Sequence, residues 1–389
     1  MAEKPSRADL VDLAAQLGPR LETRAGKHDR DASFPFETYD DLREAGLLRL
    51  CIPVEHGGLG GTFADYIRVS EELGRHCGAT ALTFNMHTMT TIWVGEIADL
   101  IDMPDDARLD HESRRKEVYR GIVEQGLKHS QPISEVTPDS HRHPSTVGEI
   151  VDGGFLVSGR KIFASLAGAA DFYDTTCQVP GEASPRFVSI PADSTGVSVQ
   201  GEWDPLGMRA TVSRTLVFDK VFVPSQNELL PPGVFAEMHQ RYPYPLLSIT
   251  ATYLGIMRGV LDFTCSFLRG EYPGGPTRPR RDSHQKQDGW ARMQVLYHQA
   301  RALLHTVVDH ATVNPSRQDL ARMWSASWTV MENAAQLAAL GVRVCGGQAI
   351  SRRFPLERMY RDARLGAVML PFTAEVCLDR LGREFLFDD

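Results

Sequence analysis

The stretch VCGGQAISRRFPLERMYRDAR, residues 344–364, decides the fold. It opens with a glycine pair, Gly346 and Gly347, and closes with the run Tyr360-Arg-Asp-Ala-Arg364. Glycine has no Cβ, so its backbone can approach a pyrophosphate more closely than that of other residues. Other segments of the chain indicate which cofactor would contain that pyrophosphate.

The stretch lies in the last of three regions with different sequence patterns. Apolar residues recur at helical spacing from about residue 7 to 127, β-rich runs replace them from about 131 to 224, and the helical pattern then returns. One segment, 246–268, is apolar enough that we expect a single long helix buried against other helices or another subunit. Crevices between such regions are common sites for large cofactors. We therefore predict an α+β protein with domains at 1–129, 130–225 and 226–389.

Composition excludes several classes of function. The chain has 389 residues, 42% hydrophobic and 24% charged, which is enough for two or three packed subdomains. A formal net charge of −8 argues against general nucleic-acid binding. The six cysteines are scattered without a C-x-x-C pair, and His141 and His143 lack nearby partner ligands, so we expect no metal site. With no signal-like N-terminus and no run approaching 18 apolar residues, we expect a cytoplasmic protein without a membrane span.

The segment Ile133-Ser-Glu-Val-Thr-Pro-Asp-Ser140 resembles the flavin-and-substrate loop of the acyl-CoA dehydrogenases, usually L-T-E-P-x-A-G-S. The resemblance implies that Ser134 hydrogen-bonds the flavin ring. It also implies that Ser140 lies near the pyrophosphate and the carrier chain of the thioester. The departures at positions 136–139 leave the backbone path of the loop open.

A second segment, Gly159-Arg-Lys-Ile-Phe-Ala-Ser165, resembles the G-x-K-x-W-I-T strand of the same family. Phe163 stands where a tryptophan packs on the isoalloxazine, and Ser165 where a threonine bonds its N5 edge. An aromatic face beside a hydroxyl group suits a flat heterocycle chemically.

The stretch at 344–364 is similar to the family's F-G-G and R-D-A-R segments at the same spacing. The resemblance places Arg343, Gly346 and Gly347 at the phosphates of a neighbouring subunit's FAD. The resemblance also implies that one arginine of the run Arg278, Arg280 and Arg281 contacts FAD across the subunit interface. We assign this role to Arg281. Thr373 and Glu375 lie in a segment similar to T-S-E-I, which holds the adenosine end.

The resemblance covers about residues 8–388 and implies the acyl-CoA dehydrogenase fold. That fold has an N-terminal α-helical domain, a middle β-barrel domain and a C-terminal four-helix-bundle domain. It further implies FAD as cofactor, a homotetramer or homodimer, an acyl-CoA or acyl-carrier-protein substrate, and an electron-accepting partner. The implied product is an α,β-unsaturated thioester.

The glutamate that removes the α-proton in this family is missing. Its usual position falls at Leu370, and the alternative position on the central helix falls in 242–248, which contains no acidic residue. Without a positioned base, proton abstraction slows by roughly 10²–10⁴-fold. Glu375, His87 and Glu135 are the nearest candidates for a relocated base. Three hypotheses stay open: a dehydrogenase with a relocated base, an FAD- or FMN-dependent monooxygenase of the same fold, or a base-less subunit of a heteromeric dehydrogenase.

Overall fold

A computed structural model describes residues 4–136, 139–369 and 373–387 of the chain. Helices before and after a β region make up the architecture in this part. The α-helices are α1 (Arg7–Asp31), α2 (Phe36–Glu44), α3 (Phe63–His76), α4 (Gly78–Ile92), α5 (Asp105–Arg120), α6 (Val234–Arg241), α7 (Thr250–Arg269), α8 (His284–Asp309), α9 (Arg317–Cys345), α10 (Leu356–Arg364) and α11 (Ala374–Leu386). The strands are β1 (His129–Ser130), β2 (Val147–Val151), β3 (Gly154–Ala164), β4 (Phe172–Cys177), β5 (Arg186–Pro191), β6 (Val197–Gln200) and β7 (Arg214–Pro224).

Capping boxes fix where several helices begin. Thr62, whose sequence position predicts an N-cap, accepts a hydrogen bond from the amide of Asp65, and the Asp65 side chain accepts one from the amide of Thr62. Ser6 and Asp9 form the same reciprocal pair at the start of α1. Each box satisfies amides that would otherwise lack partners at a helix N-terminus.

The strands form two sheets in the described part of the chain, and together they make up the middle β domain that the resemblance implies. One sheet has the order β1-β4-β5, and the other, fully antiparallel, has the order β2-β3-β7-β6. An isolated bridge between Val147 and Gln178 links the two. The register of β3 against β7 shifts twice, between Val157 and Gly159 and between Lys161 and Ala164. Such irregularities bend and twist a strand, and here β3 pairs with β7 again at Ala164 and Arg214 after the second shift.

Helix α7 joins the N-terminal and C-terminal helical regions. A Cβ at Gly74 of α3 would lie 2.6 Å from the Thr252 carbonyl oxygen, and one at Gly255 would lie 2.2 Å from that of Glu71. Glycine at both positions therefore allows the two backbones to approach closely. On its other side α9, the longest helix, packs against α7, α8 and α11.

The long apolar helix was predicted over 246–268, but α7 begins at Thr250 after a 3₁₀ turn at Tyr244–Leu247. Pro243 and Pro245 explain the delay, because proline fixes φ and lacks an amide hydrogen. The expectation that no segment is apolar enough to span a membrane was wrong for Tyr244–Arg269, which has the required length and hydropathy. Since 83% of its apolar window is buried inside the protein, the segment has the character of a core helix.

Candidate functional site

The end of β3 and the segment before β7 meet at a corner with an unusual backbone. Phe163, Leu166, Met208 and Val212 all have positive φ, at 52°, 61°, 53° and 44°. Non-glycine residues seldom adopt this conformation, and it is most costly for a β-branched residue such as Val212. Strain of this kind persists where the surrounding structure enforces it, commonly at ligand sites. We call the segments 163–166 and 208–214 together the β3–β7 corner.

Phe163 presents an aromatic ring to the outside of the corner. Its side chain is 62% exposed, which is high for a phenylalanine, and its ring meets Trp203 edge-on at a centroid distance of 6.3 Å. An exposed ring held by a neighbouring aromatic group suits stacking against a flat heterocycle. The position predicted for flavin packing is therefore free to make that contact.

Ser165, predicted to meet the N5 edge of the flavin, is 6% exposed and belongs to a chain of hydroxyl groups. Its Oγ lies 2.8 Å from Ser213 Oγ, which lies 2.7 Å from Thr211 Oγ1. The Thr211 hydroxyl donates to the Met208 carbonyl oxygen at 2.8 Å. The Ser165 hydroxyl is thus held in place by the buried hydroxyl groups of Ser213 and Thr211.

The loop after β1 is fastened to β3 and to itself. The Ser134 carbonyl oxygen accepts a hydrogen bond from the Ile162 amide at 2.9 Å, which brings Ser134 next to the strand that carries Phe163. Ser140 is buried, and its Oγ accepts a hydrogen bond from the Glu135 amide at 3.2 Å. The structure therefore gives the Ser140 hydroxyl a loop-closing contact besides the predicted contact with a cofactor. Positions 137 and 138 of this loop lie outside the described residues.

Glu135 is surrounded by donors and is unsuited to act as a base. Its carboxylate accepts hydrogen bonds from Lys161 Nζ at 2.6 Å, from the Ser145 amide and hydroxyl, and from the Thr146 amide and hydroxyl. Burial acts to raise the pKa of Glu135, but the charge of Lys161 and these hydrogen bonds outweigh it and lower the pKa to about 2. A carboxylate that weak in basicity, with its oxygens already occupied, has little capacity to remove a proton from carbon.

His87 is likewise engaged on both ring nitrogens. Its Nε2 lies 2.7 Å from the Leu48 carbonyl oxygen, and its Nδ1 accepts the His129 amide at 3.1 Å. This pattern defines a neutral tautomer that donates from Nε2. Complete burial, with a smaller contribution from His129, lowers the pKa of His87 to about 4. The geometry supports helix packing over catalysis for this residue.

Thr373 and Glu375 open helix α11. The Thr373 hydroxyl accepts the Val376 amide at 3.3 Å as an N-cap, and Glu375 is exposed in the first turn. Glu375 thus faces solvent at a helix N-terminus, where its charge also complements the helix dipole. Leu370, the position of the missing base, lies outside the described residues.

The glycine pair forms an open turn after α9. Gly346 has φ 81° and ψ −175°, a conformation that essentially only glycine adopts, and a Cβ at Gly346 or Gly347 would meet no atom within 4 Å. Arg280 reaches this turn, with Nη1 at 3.4 Å from the Cys345 carbonyl oxygen and Nη2 at 3.3 Å from the Gln348 side chain.

Arg280 contacts this turn within one chain, and the assignment of Arg281 across a subunit interface stays a prediction. The Arg280 amide donates to the Leu268 carbonyl oxygen at 2.7 Å, and both Arg280 and the neighbouring Arg281 are exposed. Arg343, in the last turn of α9, is exposed beside the same turn. Arg280 therefore reaches the glycine turn, and Arg343 precedes that turn by three residues at an exposed position.

Three residues of the site were missed by sequence reasoning, namely Ser213, Thr211 and, as a partner of Phe163, Trp203. No extended-strand pattern marks Thr211 and Ser213, because Thr211 ends a 3₁₀ turn and Val212 between them has a left-handed backbone.

Two cavities lie near these segments. One of about 420 Å³ borders the β3–β7 corner and is lined in part by Ala167, Trp203, Val212 and Arg214. A larger one of about 590 Å³ lies between α1, α7 and the segment leading to α10, and its lining mixes charged, polar and apolar residues. The larger cavity is lined by none of the residues predicted to bind cofactor, so volume alone does not identify the site.

Comparison with known proteins gives the family. The model of the "Acyl-CoA dehydrogenase, N-terminal domain" matches residues 13–97, and that of the "Acyl-CoA dehydrogenase, C-terminal domain" matches residues 246–383. Together these matches cover more than half of the chain.

Individual relatives differ in the reactions that their names state. YdbM of Bacillus subtilis (strain 168), named provisionally as an acyl-CoA dehydrogenase, is 27% identical over 362 residues, covering 92% of this chain and 91% of that protein. L-evernosamine nitrososynthase of Micromonospora sp. (strain ATCC 39149 / NRRL 15099 / SCC 1413) is 28% identical over 402 residues, covering 98% of this chain and 91% of that protein.

A solved structure of KijD3 in complex with FMN and dTDP-3-amino-2,3,6-trideoxy-4-keto-3-methyl-D-glucose has the same fold, with a TM-score of 0.82 and 24% identity. The match covers 99% of this chain and 95% of that one. The chain belongs to the acyl-CoA dehydrogenase family and is a flavin oxidoreductase of that fold.

Proposed function

We propose that the protein is a flavin-dependent monooxygenase that transfers one oxygen atom from O₂ to a small molecule. One observation carries the proposal: none of the three candidates for a relocated base is placed to remove a proton from carbon. Glu135 is saturated with donors, His87 is buried with both nitrogens engaged, and Glu375 is exposed at the start of α11. Oxygen transfer to a nucleophilic atom, such as an amine nitrogen, needs no base of this kind.

The overall reaction converts substrate, O₂ and reduced flavin into oxygenated substrate, water and oxidised flavin. When bound, reduced flavin supplies the two electrons that accompany the splitting of O₂. The chain itself contributes binding, orientation and exclusion of water. Phe163 offers the stacking face, and the Ser165 hydroxyl and the Ser134 segment border it. The bulged, strained corner fixes these groups relative to one another, and such preorganisation lowers the cost of binding.

FAD is the flavin we propose, on the strength of the turn at Gly346 and Gly347. The turn exposes backbone without side chains, and Arg280 and Arg343 place two cations beside it. Such a surface suits the pyrophosphate of FAD, whereas FMN has only a terminal phosphate. We propose that this turn serves the FAD of a second copy in a homodimer or homotetramer.

Reduced flavin must come from elsewhere, because the proposed reaction consumes a reductant that the substrate does not supply. The partner we propose is a separate flavin reductase. The relatives support this reading only in part, because their names include both an acyl-CoA dehydrogenase and a nitrososynthase.

The test uses isotopic oxygen. The protein is supplied with FAD, NADH, a flavin reductase and ¹⁸O₂, together with panels of amino sugars, other amines and sulfur heterocycles. We expect a product carrying one ¹⁸O atom, and its formation should stop when the protein is omitted. Phe163→Ala should abolish the product at low flavin concentration, whereas Phe222→Ala, which removes an exposed ring near the other end of β7, should not.

A contrary result would be conversion of acyl-CoA to enoyl-CoA without O₂ and with an artificial electron acceptor. That outcome would establish the dehydrogenase reaction and require a base that the described residues do not reveal.

A further inference from the structure

The direction of every hydrogen bond in the hydroxyl chain at the β3–β7 corner follows from its last member. A carbonyl oxygen can only accept, so the single hydroxyl hydrogen of Thr211 is used on the Met208 carbonyl oxygen, 2.8 Å away. Ser213 Oγ, 2.7 Å from Thr211 Oγ1, must then be the donor of that pair. Thr211 contributes only a lone pair to it.

The same reasoning fixes Ser165. Because the Ser213 hydroxyl already donates its hydrogen to Thr211 Oγ1, the Ser165 hydroxyl must be the donor in the 2.8 Å contact between Ser165 and Ser213. All three residues are at most 6% exposed, so exchange of partners with water is restricted. Ser165 is left with lone pairs alone for any group placed above it.

The two redox states of a flavin differ in whether N5 accepts or donates a hydrogen bond. N5 of oxidised flavin accepts a hydrogen bond, whereas N5 of reduced flavin carries a hydrogen and donates one. We propose that Ser165, oriented by Ser213 and Thr211, makes the site selective for reduced flavin. Ser165 can accept from N5–H, but against oxidised flavin it would oppose one lone pair to another. The inference rests on the proposed placement of the flavin against Phe163 and Ser165.

This selectivity would serve the proposed reaction. A site that keeps reduced flavin and releases oxidised flavin can exchange its cofactor with a separate reductase after each turnover. An enzyme that starts each cycle from oxidised flavin would need the opposite polarity. Thr211 and Ser213 are positioning residues in this scheme, because they act on the flavin only through Ser165.

The expected preference for reduced flavin comes from one hydrogen bond. Ser165 accepts it from N5 of reduced flavin, and a repulsive contact replaces it when the flavin is oxidised. That difference corresponds to roughly tenfold tighter binding of the reduced form. The polarity of the chain, rather than the presence of Ser165 alone, should determine it.

The test measures dissociation constants of oxidised and photoreduced FAD by anaerobic titration, following absorbance and quenching of tryptophan fluorescence. For the wild-type protein we expect the ratio of oxidised to reduced constants to be about ten or more. Ser213→Ala removes the acceptor of Ser165 and frees its hydrogen for oxidised N5, so the ratio should fall about tenfold. Thr211→Val should do the same by allowing Ser213 to turn toward Ser165, and it guards against poor folding of the first variant.

Ser130→Ala is the matched control. Its hydroxyl donates to the Ser165 carbonyl oxygen at 2.5 Å, so the variant loses a buried hydrogen bond at the same residue without changing the hydroxyl chain. Its ratio should equal that of the wild type.

Two results would refute the selectivity for reduced flavin without deciding whether the protein is a monooxygenase. A ratio near one in the wild type, or a ratio unchanged in both Ser213→Ala and Thr211→Val while FAD still binds, would refute the selectivity. Binding of neither redox form would refute both the selectivity and the proposed cofactor site. Selectivity that behaves as expected in a protein that incorporates no ¹⁸O would support the inference and refute the monooxygenase reaction.

Discussion

Replacing Lys161 with methionine tests how the flavin loop is held. Lys161 Nζ lies 2.6 Å from Glu135 Oε1 and 2.9 Å from the Thr176 carbonyl oxygen, and its side chain is fully buried. Lys161→Met keeps most of the side-chain volume but leaves the Glu135 carboxylate buried without its cation. Removing one partner of a buried ion pair typically costs about 3–5 kcal/mol.

The pKa of Glu135 gives a second estimate of the stability that the Lys161–Glu135 ion pair contributes. A decrease from the ordinary 4.5 to about 2 corresponds to ~3 kcal/mol of stability. Because the folded-state pKa of this acid is lowered, that stability is fully present above about pH 4.5 and is lost as the pH falls toward 2. In Lys161→Met, burial should raise the pKa of Glu135, so its deficit should be largest near pH 7 and shrink as the carboxyl takes up a proton.

The assay is urea unfolding followed by circular dichroism at pH 7 and pH 5. We expect Lys161→Met to lose about 3 kcal/mol or more at pH 7 and less at pH 5. Lys128→Met, which breaks the partly exposed ion pair with Asp171, should lose less than about 1 kcal/mol at both. Equal losses in the two variants at pH 7 would refute the reasoning.

Three other substitutions probe the cofactor site. Phe163→Ala should weaken FAD binding at least tenfold by removing the stacking face, whereas Phe163→Trp should retain it; equal affinity for both variants in a fluorescence titration would contradict the assignment. Arg343→Glu should weaken FAD binding by placing a negative charge beside the pyrophosphate, and a variant that assembles normally and holds FAD as tightly as wild type would refute the shared site. Glu375→Gln should leave turnover at saturating flavin unchanged and alter at most the affinity for FAD; loss of turnover with FAD still bound would identify Glu375 as the base.

The sequence predicted the fold and grouped Phe163 with Ser165, because each of those signals is local. Thr62 is recognisable as an N-cap from its own neighbours, and Phe163 and Ser165 lie within one seven-residue motif. The family and its helical-β-helical organisation were confirmed by the comparisons and the structure.

What the sequence could not provide were contacts between distant segments. Ser165 meets Ser213 across 48 positions, and the pairing of Ala164 with Arg214 at the end of β3 brings them together. The contact of Arg280 with the glycine turn depends on the path of the loop between α7 and α8, which no local pattern encodes. Glu135 seemed available as a base because its burial against Lys161 becomes visible only in three dimensions.

The most direct test of the monooxygenase account is the anaerobic absorbance spectrum of the FAD-loaded protein during titration with a panel of short-, medium- and long-chain acyl-CoAs. An acyl-CoA dehydrogenase is bleached by its substrate within the mixing time or soon after, because the α-proton and the hydride leave together. Because neither Glu135, His87 nor Glu375 is placed as a base, we predict that the flavin bands persist with every thioester and disappear only when dithionite, or a flavin reductase together with NADH, is added. Rapid bleaching by any one of the acyl-CoAs would contradict the account.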